Sequence, residues 1–153
     1  MKFIFSFILL VLFSTAASAQ TALDEQIALT RQSIQTDRKI ILMGNMTFTS
    51  EESAQFWPAW NEYRAAMAAN GDRTLALIKN FADNFENMTN EKADELMTDH
   101  FSIEMQNSVI KQKFSQDLSK FLPAQKVMRV IQIENKLDAA IDMQLAAEIP
   151  LAQ

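Results

Sequence analysis

The sequence contains no cysteine, which excludes a disulfide framework and a lipid attached to a cysteine behind an export signal. Stability must come from packing. Two glycines and three prolines interrupt the 153 residues, and no stretch alternates apolar and polar residues like a half-buried strand. The expected class is all-α. A single histidine leaves little for a zinc or copper centre, which draws several ligands from defined spacings. With neither a nucleophile beside a base nor a glycine-rich phosphate loop, no enzyme activity and no cofactor are expected.

Long apolar runs are also scarce, and the first residues hold the only one. Lys2 supplies a positive start, Phe3 to Phe13 an apolar run, and Ala17-Ser18-Ala19 a small-residue cleavage site before Gln20. Residues 1–19 therefore read as a signal peptide and 20–153 as a single helical domain, exported to the periplasm. The alternative, a retained anchor, meets a run short for a span of about twenty residues. No stable membrane insertion is expected of the rest.

Without Lys2 the exported chain carries thirteen Lys and Arg against nineteen Asp and Glu, a net charge near −6. An acidic balance disfavours nucleic acid and anionic membrane surfaces as partners. The charge is unevenly placed. Asp83, Glu86, Glu91, Asp94, Glu95, Asp99 and Glu104 are accompanied by Lys92 alone, whereas Lys111, Lys113, Lys120, Lys126, Arg129 and Lys136 then outnumber Asp117 and Glu134. Solvated helix faces account for this pattern, or the two patches meet across an antiparallel homodimer.

One apolar stripe dominates the chain. Phe56, Trp60, Tyr63, Met67, Thr74, Ile78, Phe81 and Phe85 recur at steps of three and four, with one double step around Asn70 and Gly71. This predicts one long amphipathic helix from Thr49 to Asn87. At about 1.5 Å per residue it would reach roughly 55 to 60 Å, so an elongated antiparallel hairpin or bundle of about four helices is expected. Thr49 and Glu52 form a capping box at its start, and Pro58 requires a loose or kinked first part.

Leu23, Ile27, Ile34 and Ile41 mark an earlier helix that should end at Gly44 and Asn45. A third should run from Asn90 to Lys120, burying Ala93, Leu96, His100, Ile103, Ile110, Phe114, Leu118 and Phe121. A fourth should begin with Pro123 in its first position, carry Val127, Val130, Leu137, Ile141 and Leu145, and stop at Pro150. The triplets Asn45-Met46-Thr47 and Asn87-Met88-Thr89 read as related turn and capping segments.

Three groups of residues stand out beyond this frame. Glu134 falls on the core-facing row of the fourth helix and needs a cation or hydrogen-bond donors. Arg38, Lys113 and Arg129 are candidates, with Arg38 the expected structural ion-pair partner. His100, with Glu104 one turn on and Asp99 beside it, is a weak candidate metal pair, and a structural histidine is the simpler reading. Finally, Phe48, Trp57, Met97, Phe101, Met105, Val109, Met128 and Met143 lie off the main stripes. Methionine suits surfaces that adapt to varied apolar partners, so this set reads as a partner-binding or dimerisation face, or as surface covered by the first helix.

The segments Phe56-Trp57-Pro58-Ala59-Trp60-Asn61-Glu62-Tyr63, Leu122-Pro123-Ala124-Gln125-Lys126, Gln132-Ile133-Glu134-Asn135-Lys136-Leu137 and Ala146-Ala147-Glu148-Ile149-Pro150-Leu151 resemble an uncharacterised group of exported bacterial helical proteins. That group is similar to the Spy/CpxP-like periplasmic family with its Leu-Thr-x-x-Gln motif. Here the motif departs from its pattern. Phe48-Thr49-Ser50-Glu51-Glu52 ends in Glu, Met88-Thr89-Asn90-Glu91-Lys92 ends in Lys, and Leu122-Pro123-Ala124-Gln125 has Pro in place of Thr. The resemblance implies a long-helix hairpin, often dimeric, acting as an ATP-independent chaperone, an envelope-stress regulator or a metal-responsive sensor. The sensors' histidine-rich sites are missing from this chain. The expected function is therefore chaperone-like binding of unfolded or partner protein segments, with a regulatory sensor for a metal ion or a membrane-bound partner as the alternative.

Overall fold

The computed structural model describes residues 32–151, and every element in that range is helical. The proposed signal peptide, Leu23 and Ile27 lie outside the described residues, as does the side chain of Leu145. The chain divides into two compact units, Met1–Asn45 and Met46–Gln153.

In the first unit, residues 32–45 form helix α1. It ends at Asn45, as expected, but without a left-handed residue; the Asn45 amide donates back to the Ile41 carbonyl at 2.8 Å. The sheltered row also differs from the expected one. Ile34, Arg38 and Leu42, at steps of four, are half-buried or buried, whereas Ile41 is exposed.

The second unit is built on α2, Ser50–Asn84, which ends in a single 3-10 turn, Phe85–Asn87. At about 1.5 Å per residue α2 measures roughly 50 Å. Its start is fixed by the expected capping box: the Glu52 amide donates to Thr49 Oγ1 at 3.1 Å and the Thr49 amide to Glu52 Oε2 at 2.8 Å. Pro58 lies inside the helix, where it removes one backbone bond, and the apolar row on either side carries the helix across that gap. Gly71 is likewise helical, with φ negative.

Thr89 caps the next helix by accepting from the Lys92 amide at 3.2 Å, so Asn87-Met88-Thr89 is the turn and cap that its residues suggest. Asn45-Met46-Thr47 likewise follows a helix end, but its Thr47 is not the cap, which falls on Thr49. Helix α3, Asn90–Leu118, returns antiparallel along α2. Their seam buries Phe56, Trp60 and Tyr63 against Ile103, Ile110, Phe114 and Leu118. The Tyr63 and Phe114 rings stack with centroids 4.2 Å apart at 5°.

Helix α4, Ala124–Glu148, closes the base of this hairpin. Pro123 sits just before it, not in its first turn, and its carbonyl accepts the Lys126 and Val127 amides. Leu122, Val127, Val130 and Glu134 complete the buried core, and Lys126 ties α4 to α2 through Glu52.

Candidate functional site

Two features of the second unit carry the functional argument, a buried carboxylate and an open apolar row. Glu134 is 1% exposed. One of its oxygens accepts from Trp60 Nε1 at 2.8 Å, and the other lies 3.4 Å from Arg64 Nη1. Trp60 and Arg64 are one turn apart on α2, so a single helix face delivers both an indole donor and a cation. Arg64 was not among the expected partners, although its step of four from Trp60 was the signal for it. Of those expected, Lys113 lies on α3, bonded to Glu62 at 2.9 Å and Asp117 at 2.8 Å, and Arg129 is exposed. Arg38 stands on α1, in the other unit.

The open row lies on α3. Met97, Phe101, Met105 and Val109, at successive steps of four, are 52%, 67%, 67% and 51% exposed. At about 100° per residue their common direction is roughly opposite to Ile103, which points into the seam. Such a row is not the incidental exposure of single apolar residues. The remaining members of the sequence-derived set do not join it. Phe48 stacks on Phe56 at 4.4 Å, and Trp57 packs edge-on against Phe56 and Trp60 while donating to Ser53 Oγ at 3.1 Å. Both are half-buried parts of the aromatic cluster at the start of α2. Met128 and Met143 are exposed on α4, and Ile40 and Met43, which lie outside the expected set, are exposed on α1.

His100 does not lie inward as expected; it is exposed, its ring 5.5 Å from that of Phe101. Its position is at the margin of the buried arc, where α2 offers only half-buried side chains. Among the described residues no three His, Cys, Asp or Glu side chains gather as metal ligands.

Level with the middle of the open row, a polar layer crosses the hairpin where the α2 stripe is interrupted. The buried Asn70 amide donates to the Ile103 carbonyl at 2.9 Å and to Asn107 Oδ1 at 2.8 Å. Arg73 bonds Asn70 Oδ1 at 3.1 Å and Ser102 Oγ at 2.9 Å. A shallow groove lies beside this layer, lined by Arg73, Ala76, Leu77, Asn80, Asp99 and Ile103.

Exposed ion pairs tie the base together and set its acid response. Lys113 first, then Lys120, hold the Asp117 carboxyl down from the usual 3.8 to about 2. Lys126, with the Thr49 amide, lowers Glu52 as well. Each folded value lies below the unfolded one, so these contacts stabilise the fold above the unfolded carboxylate range, and the contribution is lost as pH falls through the folded values. Melting temperature followed by circular dichroism should therefore drop between about pH 4 and pH 2, and Asp117→Asn should flatten that part of the profile.

Comparisons with family models, curated proteins and solved structures found no match for the chain.

Proposed function

We propose that the protein is a periplasmic, chaperone-like helical binding protein that holds unfolded or partner protein segments on the Met97, Phe101, Met105 and Val109 face of α3. The observation that carries this reading is that row of four large apolar side chains, each at least half exposed, on the side of α3 turned away from its own core. Two of the four are methionines, whose unbranched, polarizable side chains adapt to partners of different shape. The signal-like residues 1–19 and the resemblance to Spy/CpxP-like proteins support export and a role in envelope stress. A homodimer is part of the same reading, because a second copy can cover apolar surface when no client is present.

The exported chain should bind an apolar dye and, near equimolar amounts, suppress aggregation of an unfolding client. Phe101→Glu should weaken client retention about tenfold or more, by the removal of one buried aromatic anchor. Suppression that is unaffected by Phe101→Glu and Met105→Glu together would sink the assignment to this face. The alternative, a sensor for a metal ion or a membrane-bound partner, rests on His100 and Glu104 one turn apart, and titration calorimetry with zinc, copper and nickel tests its metal form.

A further inference from the structure

The charges around the α3 row narrow the chemistry of what it takes, given that the row is a binding face. Asp94 continues the line of Phe101 and Met105 toward the start of the helix, Glu91 stands beside it, and Glu104 borders the other flank; all are exposed. No ion pair engages these carboxylates among the described residues, whereas Glu95 is held by Lys92 at 2.7 Å. The cations farther along α3 are already engaged within the protomer, Lys111 by Asp138 at 2.8 Å and Lys113 by Glu62 and Asp117. Among the described residues the open row is thus bordered by unneutralised acids and by no free lysine or arginine, His100 beside Phe101 being the one other basic group.

We infer that the α3 face selects cationic amphipathic segments of other proteins, with an apolar stripe to cover Met97 through Val109 and Lys or Arg to meet Glu91, Asp94 and Glu104. The row from Met97 to Val109 spans roughly 18 Å at about 1.5 Å per residue, which matches about three turns of a bound helix. A second copy of this chain supplies the apolar surface but not the charge. Aligned in parallel, it brings acid against acid; reversed about the middle of the row, it brings Glu91 and Asp94 opposite the neutral Gln112 and Ser115. Opposite charge across the rim steers encounter and rejects anionic competitors, so the specificity lies in the border and the affinity in the apolar row.

The test uses the exported chain and two labelled amphipathic peptides with the same leucine face, one bearing Lys and the other Glu at every polar position. Binding is read by fluorescence anisotropy at low and physiological salt. The Lys peptide should bind about tenfold tighter or more than the Glu peptide, and the preference should shrink as salt screens the border. Combining Glu91→Lys, Asp94→Lys and Glu104→Lys, all at exposed positions, should invert the preference with the helical circular dichroism unchanged. Phe101→Glu should abolish binding of both peptides. Equal binding of the two, still abolished by Phe101→Glu, overturns the charge selection and leaves the apolar face standing. Absence of binding by either peptide overturns both. If light scattering also shows a dimer that Phe101→Glu dissociates, the occupant is the second copy.

Discussion

Trp60→Ala is expected to destabilise the second unit by about 3 to 5 kcal/mol, the range for truncating a large buried aromatic. Against a total stability of about 5 to 15 kcal/mol for a domain, that brings the fold close to collapse at moderate temperature. Two separable losses contribute. The indole leaves a void beside Trp57, whose ring packs edge-on against it, and Glu134 loses the donor at 2.8 Å. Trp60→Phe isolates the second loss, because it keeps most of the ring volume and deletes the N–H. A buried carboxylate short of a donor should cost about 1 to 3 kcal/mol. In a Glu134→Leu background the same exchange should cost close to nothing, since the acceptor has gone, and denaturant titration of the four proteins gives the coupling directly. A coupling near zero would mean that Arg64 and the rest of the surroundings satisfy Glu134 without the indole.

The second large effect is expected at Asn70. Asn70→Asp preserves shape but replaces a double donor by an acceptor that faces the Ile103 carbonyl and Asn107 Oδ1. Arg73 offsets part of this. The remaining cost should be about 3 kcal/mol at neutral pH, and stability should recover toward acid as the new carboxyl takes up a proton and can donate again. Asn70→Leu should cost less than the Asp variant, about 1 to 3 kcal/mol, because it buries no charge but leaves Asn107 Oδ1 and Arg73 short of a partner. Chemical denaturation of both variants decides the matter: an Asp variant as stable as the parent would show that the polar layer is solvated and holds nothing.

How much of this was legible depends on what each signal encodes. Apolar spacing located α2, α3 and α4 within a few residues, and the Thr49 and Glu52 box marked the start of α2, because these are local interactions among neighbours in the chain. Spacing also placed Glu134 on a covered row. It did not identify Arg64 as partner, since that pairing depends on which face of α2 meets α4. The same limit explains His100, assigned inward from its row although it is exposed, and Ile41, whose neighbour Leu42 is sheltered instead. Periodicity reports which residues share a face, and only tertiary packing reports which faces are covered. The off-stripe set illustrates both sides: Met97, Phe101, Met105 and Val109 are open as their positions suggest, whereas Phe48 and Trp57 are drawn into an aromatic cluster that no spacing rule anticipates.

The Asn70 layer also divides the hairpin by how readily it opens. Below it lie Phe56, Trp60 and Tyr63 of α2; beyond it α2 buries no side chain fully, and α3 contributes Leu96. Local opening draws on the parts of a structure with the fewest buried contacts. The turn around Asn87 and the adjoining helix ends can therefore separate and close again while the aromatic base stays intact, so amide protons near the tip exchange with solvent without global unfolding. The α3 row starts within that yielding region at Met97 and runs toward the rigid base at Val109, which makes one end of the row compliant and the other fixed.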